Sequence, residues 1–269
     1  MSKKSKSKRA KPVGSQGSPA EIGIALGVPL LGSILLGQAV ISLTGAPGDS
    51  LSRSSIILAG LGIISMYYGM QKYKVAGMGL RGGRPLFAGA GFAFLGWIAL
   101  FILRFIYIDT DANALNQPLF SIFAYLLLFE AFALQIWTFS LVFKAVSTVY
   151  GGLTAAVVSG LAFAAIGFYF FQESFYLNQV FTSFWLVAIG ILYMAAWGVF
   201  YGIVRLRTGS ILGIVLIQAM QSLTVWELVP PFEFVNESNL NPLFYTIAGI
   251  IYAVLIWRLW PKELDDYRI

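Results

Sequence analysis

The sequence predicts an all-α integral membrane protein, folded as a bundle of about eight transmembrane helices. Of its 269 residues, 58% are hydrophobic and only 11% are charged, whereas soluble domains average about 25% charged residues. The mean hydropathy is +0.78. Apolar stretches long enough to cross a bilayer as helices recur along the chain. They do not show the ten-residue alternation of apolar and polar residues that is typical of β-barrel strands.

The N-terminal residues 1–20 are predicted to form a disordered cytoplasmic tail. They begin with MSKKSKSKRAK, and much of the net charge of +6 lies there. Such a tail is too polar to bury a core; it favours a cytoplasmic location and contact with anionic lipid. Nucleic acid is not a predicted partner, because no aromatic residues are interleaved with the charges.

The transmembrane domain is predicted to cover residues 21–261, followed by a short cytoplasmic tail over 262–269. Its first stretch has the length of a full span, which favours a membrane anchor over a cleaved signal peptide. The predicted spans are residues 22–43, 54–71, 86–108, 118–143, 151–171, 181–204, 210–226 and 243–260.

The charges between the spans predict that both termini lie on the cytoplasmic side, in a bacterial inner membrane or its equivalent. With the N-terminus inside, all 18 Lys and Arg residues except Arg53 and Arg104 fall on the inner side. A positive-inside bias in short loops is the usual determinant of topology. The outer loops instead carry the acids Asp49, Asp109, Asp111, Glu173, Glu227, Glu233 and Glu237.

The composition excludes several kinds of chemistry. The chain has no cysteine and no histidine, which excludes disulfides, thiolate metal sites, histidine-ligated haem or zinc, and histidine-based triads. No metal site and no cofactor are therefore predicted. The aromatic content of 16% is compatible with a bound lipid or pigment, although interfacial belts and bundle packing explain it as well.

Glu130, in the stretch LLLFEAFALQIW, is the candidate for a functional acid. It lies about 18 Å from the outer end of its span, at about 1.5 Å per residue, so it is near the membrane midplane. Arg104 and Lys144 lie at other depths. An ionisable residue at this depth indicates a functional site by default. Because desolvation disfavours the carboxylate, we expect a protonated Glu130 bonded to an amide, a hydroxyl or a carbonyl.

A polar layer is predicted between the fourth and seventh spans. Gln135 follows Glu130 on the same span, while Gln218 and Ser222 are spaced i, i+4 on the seventh span and share a face. Gln221 lies close to that face. Such a layer is either a functional site or a set of interhelical hydrogen bonds, which are typically worth about 0.6–2 kcal/mol each.

Glycine pairs spaced four residues apart predict close helix packing at three places. They are Gly23 with Gly27, Gly198 with Gly202, and Gly209 with Gly213. Small residues at this spacing allow two helix backbones to approach closely in a membrane. Packing within the bundle is the expected use of all three.

Three motifs in order over residues 118–228 resemble the CPBP family, which comprises CAAX-type intramembrane proteases and bacteriocin-processing proteins. Members typically show E-E-x-x-x-R, then F-x-x-x-H, then H-x-x-x-N or D, with the last preceded by T-G-S. The stretch LRTGS at 206–210 matches this context, as do Ser159 and Phe163. The resemblance implies an eight-span fold whose ancestral activity is intramembrane proteolysis.

The residues that would carry this chemistry are largely replaced. Glu130 keeps the first glutamate, but the remaining positions hold Ala131, Gln135, Gly167, Gln218 and Ser222. In the resembled family a carboxylate activates water, histidines bind a metal or donate protons, and arginine or asparagine stabilises charge. One acid with neutral amides is a poor divalent-metal site, because hard cations need several oxygen ligands.

The predicted function is therefore that of a pseudoprotease, a non-catalytic protein that binds, assembles or belongs to a larger complex of membrane proteins. One alternative is a residual intramembrane endopeptidase in which Glu130 is the acid and base. Another is a proton-coupled transporter with Glu130 as the carrier carboxyl, although no internal repeat of the kind common in transporters is evident.

Overall fold

The computed structural model describes residues 17–44, 50–107, 118–173, 184–227, 240–263 and 268, and these form helices and short connections without a strand. Each predicted span corresponds to one helical segment. The helices are α1 (Pro19–Thr44), α2 (Ser50–Gly77), α3 (Arg84–Tyr107), α4 (Leu119–Tyr150), α5 (Gly152–Glu173), α6 (Phe184–Thr208), α7 (Leu212–Gln221, continued by Ser222–Glu227) and α8 (Leu240–Leu259).

Four of these helices contain segments long and apolar enough to cross a membrane. They are Pro19–Thr44, Arg84–Phe105, Leu119–Tyr150 and Ala188–Thr208. Within the described residues, α5, α7 and α8 supply shorter apolar helices. The all-helical prediction is therefore confirmed over the described residues, with four helices that could span a membrane, and the count of eight spans stays a prediction.

Several helix boundaries differ from the sequence prediction. Helix α1 begins at Pro19. Proline is favoured at the start of a helix because a backbone N–H there would have no hydrogen-bond partner within the helix. Helix α2 continues to Gly77, six residues beyond the predicted end, with a kink at Lys74 (φ 59°). The predicted tail residues 1–16 and the acids Asp49, Asp109, Asp111, Glu233 and Glu237 lie outside the described residues.

The connection before α7 is the clearest correction. The sequence predicts that Arg205 and Arg207 lie in a basic turn after residue 204, but both belong to the last turn of α6, and Arg205 is only 2% exposed. Arginine is a good helix former and its charge is favoured near a helix C-terminus. The helix ends instead at Thr208, and Gly209, which follows it, has a φ of +73° that suits glycine.

Helices α4 and α6 occupy the centre of the bundle. Helix α6 packs extensively against α5 and α8, while α4 contacts α2, α5 and α7. Helix α7 packs against α3 as well, and α1 packs mainly against α2 at the periphery. The segment of α4 that contains the candidate acid Glu130 therefore lies between α2 and α7.

Segments that the sequence assigns to the inner side meet at one end of the bundle, which we call the basic end. It contains Lys72, Arg81, Lys144, Arg205 and Arg207. The contacts that join it are Ile211 N–H to Gly79 O (3.0 Å), Ser210 Oγ to Arg81 O (2.7 Å), Arg207 Nη1 to Leu259 O (3.1 Å) and the ion pair of Lys72 with Glu21 (3.0 Å).

Candidate functional site

Helix α4 is wound as a π-helix on both sides of Gln135. The π-helical segments are Leu126–Phe132, which contains Glu130, and Ile136–Val142. The end of α7 is also π-helical, over Ser222–Glu227. Such segments are rare and frequently occur at functional sites. Here they contain Glu130 and Ser222, whereas the three glutamines lie in the adjoining α-helical residues.

The π-helical winding explains how Glu130 and Gln135 reach the same partner helix. Residues five apart in an α-helix point about 140° away from each other, since it has 3.6 residues per turn. A π-helical turn is closed by a bond between residues i and i+5, so residues five apart lie closer to one face than in an α-helix. The π-helix includes Glu130 and ends at Phe132, which narrows the angle between Glu130 and Gln135, although Ala133–Gln135 is α-helical. Gln218 and Ser222 share a face by the ordinary i, i+4 spacing of α7.

Side-chain hydrogen bonds join α4 to α7. The Ser222 hydroxyl donates to Glu130 Oε1 at 2.6 Å, and Gln135 Nε2 donates to Gln218 Oε1 at 2.6 Å. Gln135 and Gln218 are fully buried, and Glu130 is half-buried. The predicted contact between the fourth and seventh spans is therefore present, and a hydroxyl is one of the partners expected for Glu130.

Gln221 extends the layer to two further helices. Its Oε1 accepts hydrogen bonds from the hydroxyls of Tyr201 on α6 (3.5 Å) and Tyr252 on α8 (3.3 Å). The sequence places Gln221 near the layer but does not identify these tyrosines as its partners. We use the term polar layer for Glu130, Gln135, Gln218, Gln221 and Ser222.

One step further along α7, Thr224 makes a contact that the sequence analysis missed. Trp97 Nε1 on α3 donates to Thr224 Oγ1 at 2.7 Å, and Thr224 in turn donates to Met220 O at 2.6 Å. A tryptophan N–H that is removed from water usually finds such an acceptor. A threonine one turn beyond the glutamines is the only signal the sequence offers for it.

Three amide atoms of the polar layer have no hydrogen-bond partner among the described protein atoms. They are Gln135 Oε1, Gln218 Nε2 and Gln221 Nε2, one acceptor and two donors. Buried polar groups are normally satisfied by protein or by ordered water. The layer therefore contains uncharged donors and an uncharged acceptor that can form further hydrogen bonds inside the bundle.

The other positions named by the family resemblance lie in apolar surroundings. Ala131 is fully buried and packs in a small cluster with Leu126 and Ala219. Phe163 is also fully buried, with ring centroids 5.7 Å from Phe139 and 5.3 Å from Trp197. Gly167, in the histidine position of the second motif, is buried and has no side chain.

The cations that the sequence excluded as partners of Glu130 lie in other surroundings. The Arg104 guanidinium is buried on α3, 5.8 Å from the centre of the Phe244 ring, and Lys144 lies at the basic end. No group of three or more Asp, Glu, His or Cys side chains that could hold a metal occurs among the described residues. No protein-family model, curated protein or solved structure matches the chain.

Proposed function

We propose that this chain is a non-catalytic membrane protein of pseudoprotease type that binds other membrane proteins as a subunit or assembly factor of a larger complex. The observation that carries the proposal is the pairing inside the polar layer. Glu130 is bonded to Ser222, and Gln135 to Gln218. Groups at positions where the resembled proteases bind water or metal are engaged here in joining two helices.

The chemistry of the polar layer supports this proposal over hydrolysis. Cleaving a peptide bond requires a general base, a group that stabilises the oxyanion and commonly a metal. Gln218, in a histidine position of the resembled motif, hydrogen-bonds but does not titrate near neutral pH. Ala131 and Gly167 bring no functional group, so a single carboxyl is held among neutral partners.

A surface groove beside the layer supports a binding role. Helices α2 and α4 border an apolar groove of about 340 Å³, whose lining includes Gly62, Tyr67, Phe129 and Phe132 but not Glu130. Tyr67 is 67% exposed and Phe129 is 40% exposed. Aromatic side chains beside a small-residue floor provide a surface against which an apolar helix of another protein can pack.

The proposal includes an eight-span topology with both termini on the cytoplasmic side. It is supported by the convergence of the predicted inner segments at the basic end. Since the chain has no cysteine, single cysteines introduced at Ser18, Lys262 and Ser121 can each be tested for labelling by an impermeant maleimide added outside intact cells. We expect labelling at Ser121 only, and labelling at Lys262 would contradict the topology.

The decisive experiment combines purification in mild detergent with an activity assay. We expect a partner protein at a fixed ratio by mass spectrometry of the intact assembly, retained in Glu130→Ala. We expect the groove variants Tyr67→Ala and Phe129→Ala to lose it, while Phe87→Ala, which removes a 74% exposed ring elsewhere, keeps it. Equal retention in all variants would argue against the groove.

The activity arm separates the proposal from its alternatives. In proteoliposomes, peptide hydrolysis that is lost in Glu130→Gln but kept in Glu21→Gln would establish a residual endopeptidase. Proton-coupled uptake that is lost in Glu130→Gln but kept in Glu21→Gln would establish a transporter. Glu21 is a suitable control because it lies at the basic end in an ion pair with Lys72.

A further inference from the structure

Three cationic side chains meet at the basic end, where the connection between α2 and α3 contacts the connection between α6 and α7. Arg81 is exposed, Lys144 is half-buried and Arg205 is buried. Lys144 lies within electrostatic reach of both arginines, and Arg205 within reach of Arg81. The three charges therefore form one cluster, contributed by α4, α6 and the segment after α2.

Arg205 is held by contacts with Phe139, Phe143 and Gly79, and one of its nitrogens has no protein partner in the described part of the chain. Its Nε donates to Phe139 O at 3.0 Å, and its guanidinium lies 5.0 Å from the centre of the Phe143 ring. Gly79, with φ +74°, lies so close that a Cβ there would be 2.5 Å from the guanidinium carbon. Nη1 is buried and has no hydrogen-bond partner among the described residues, so one donor group of the guanidinium is unsatisfied.

The charge balance of the cluster calls for an anion. A buried arginine needs a counter-charge or full hydrogen bonding to offset its lost hydration. Arg81 and Arg205 act electrostatically on Lys144, and Arg81 acts on Arg205, so cations repel one another within the cluster. The acid Glu21, also at the basic end, is paired with Lys72 at 3.0 Å.

We propose that Arg81, Lys144 and Arg205 bind a phosphate group, such as that of an anionic lipid headgroup. Guanidinium groups match phosphate oxygens through paired, charge-assisted hydrogen bonds. Basic pockets between transmembrane helices are typical sites for anionic headgroups. The same cluster has the chemistry to bind a free phosphate ion, and the experiment distinguishes the two sources.

The test is lipid retention by the purified full chain, measured by mass spectrometry of the intact protein. Vesicles contain phosphatidylglycerol or phosphatidylcholine. We expect one phosphatidylglycerol to be retained in preference to phosphatidylcholine, and Arg81→Gln and Lys144→Gln each to lower this retention about tenfold, the effect of losing one charge-assisted hydrogen bond. Arg84→Gln, which removes an exposed charge at the same end, should retain the lipid.

Inorganic phosphate identifies the source of the ligand. If added phosphate displaces phosphatidylglycerol from the native chain, and this displacement is not seen in Arg81→Gln, the site binds the phosphate group itself. Retention of the lipid in the presence of phosphate supports a site that also uses the acyl chains. Because Arg205 is buried, its replacement risks misfolding, so the two more accessible cations carry the test.

Three results would overturn the proposal. Equal retention of the two lipids would show that the protein does not select a lipid by the charge of its headgroup. An equal loss in Arg84→Gln would show a diffuse surface effect. The third result would be that the native chain does not retain phosphatidylglycerol but the double variant Asp265→Asn, Asp266→Asn does. Acids near the C-terminus would then occupy the cluster in the native chain.

Discussion

Two pairs of helices in this bundle are held together by opposite means. Along the contact between α5 and α6, Gly198 and Gly202 face the backbone of α5 so closely that an added Cβ would lie 2.1 Å from Gly160 O or Ala156 O. Along the contact between α4 and α7, polar side chains hydrogen-bond across the gap.

The difference shows how a chain this apolar specifies its helix neighbours. Lipid tails are as apolar as leucine, so hydrophobicity does not favour one helix contact over another inside a membrane. Close backbone packing specifies a neighbour by size, because no added atom fits. Hydrogen bonding specifies a neighbour by partner, because each buried donor needs an acceptor. The contact between α5 and α6 should therefore be weakened by added side-chain volume. The contact between α4 and α7 should be weakened by removing one hydrogen-bonding partner.

The largest effect is expected for Gly198→Ala or Gly202→Ala. The methyl group meets backbone atoms that do not move aside, so α5 and α6 must separate, at an expected cost of about 3 kcal/mol or more of unfolding free energy. Unfolding in mild detergent, followed by circular dichroism, measures this loss. Gly190→Ala on the same helix is the control, because its Cβ meets nothing within 4 Å; equal losses would refute the size argument.

Next in size is Gln218→Leu, which removes the acceptor of the buried Gln135 amide. We expect a loss of about 2 kcal/mol, the typical penalty for a buried donor left unsatisfied. Because Gln135→Leu in the same chain removes the stranded donor, the double variant should recover about half of the loss. Strictly additive losses in this double-mutant cycle would show that the two amides are energetically independent.

A smaller effect is expected for Ser222→Ala, which deletes one hydroxyl bonded to Glu130. The expected loss is about 1 kcal/mol, in the range measured for interhelical bonds in membranes. Combined with Glu130→Gln, the cycle should show coupling between the two side chains. The replacement Leu216→Ala, a 38% exposed residue of the same helix, provides a comparison for simple truncation.

The smallest effect is expected for Gly23→Ala and Gly27→Ala on α1. A Cβ at either position meets nothing within 4 Å, so the change should stay within about 0.5 kcal/mol, as for surface substitutions. Thermal unfolding of the purified chain measures it. A loss as large as that at Gly198 would indicate that α1 packs closely against another helix at these glycines.

The contrast among the three glycine pairs marks a limit of the sequence. All three have the same spacing, yet Gly198 and Gly202 pack against backbone, Gly213 lies against Ala90 and Leu86 of α3, and Gly23 and Gly27 meet nothing. Spacing along one helix defines a face, but it does not identify the helix that covers the face. That information lies in the tertiary arrangement.

The polar layer was predictable where depth and helical spacing were sufficient. Gln218 and Ser222 are one turn apart, and Glu130 lies at a matching depth, so the contact between α4 and α7 followed from the sequence. The partners of Gln221 did not, because Tyr201 and Tyr252 belong to helices whose position around α7 no spacing indicates. The π-helical winding on both sides of Gln135 also left no mark in the residue pattern.

Arg205 shows how a charge at a span boundary misleads. Its position after an apolar run predicts a loop, but Phe139 O and the Phe143 ring stabilise it inside the bundle. A guanidinium has five donors and a flat face, so backbone and aromatic groups can hold part of it inside the bundle, while Nη1 is left without a protein partner within the described ranges. Only the three-dimensional neighbours distinguish this arginine from Arg207, two residues further on.

The π-helical turns of α4 have a consequence for how the chain tolerates changes in length. A π-helical turn holds one residue more than the α-helical turn it replaces. Deleting one residue between Glu130 and Gln135 would leave the two side chains four apart on an ordinary α-helix, still on one face, with the rest of α4 nearly in register. The same deletion within the α-helical residues 143–150 would rotate everything beyond it by about 100°. The segment around the polar layer is thus the part of α4 best able to lose a residue.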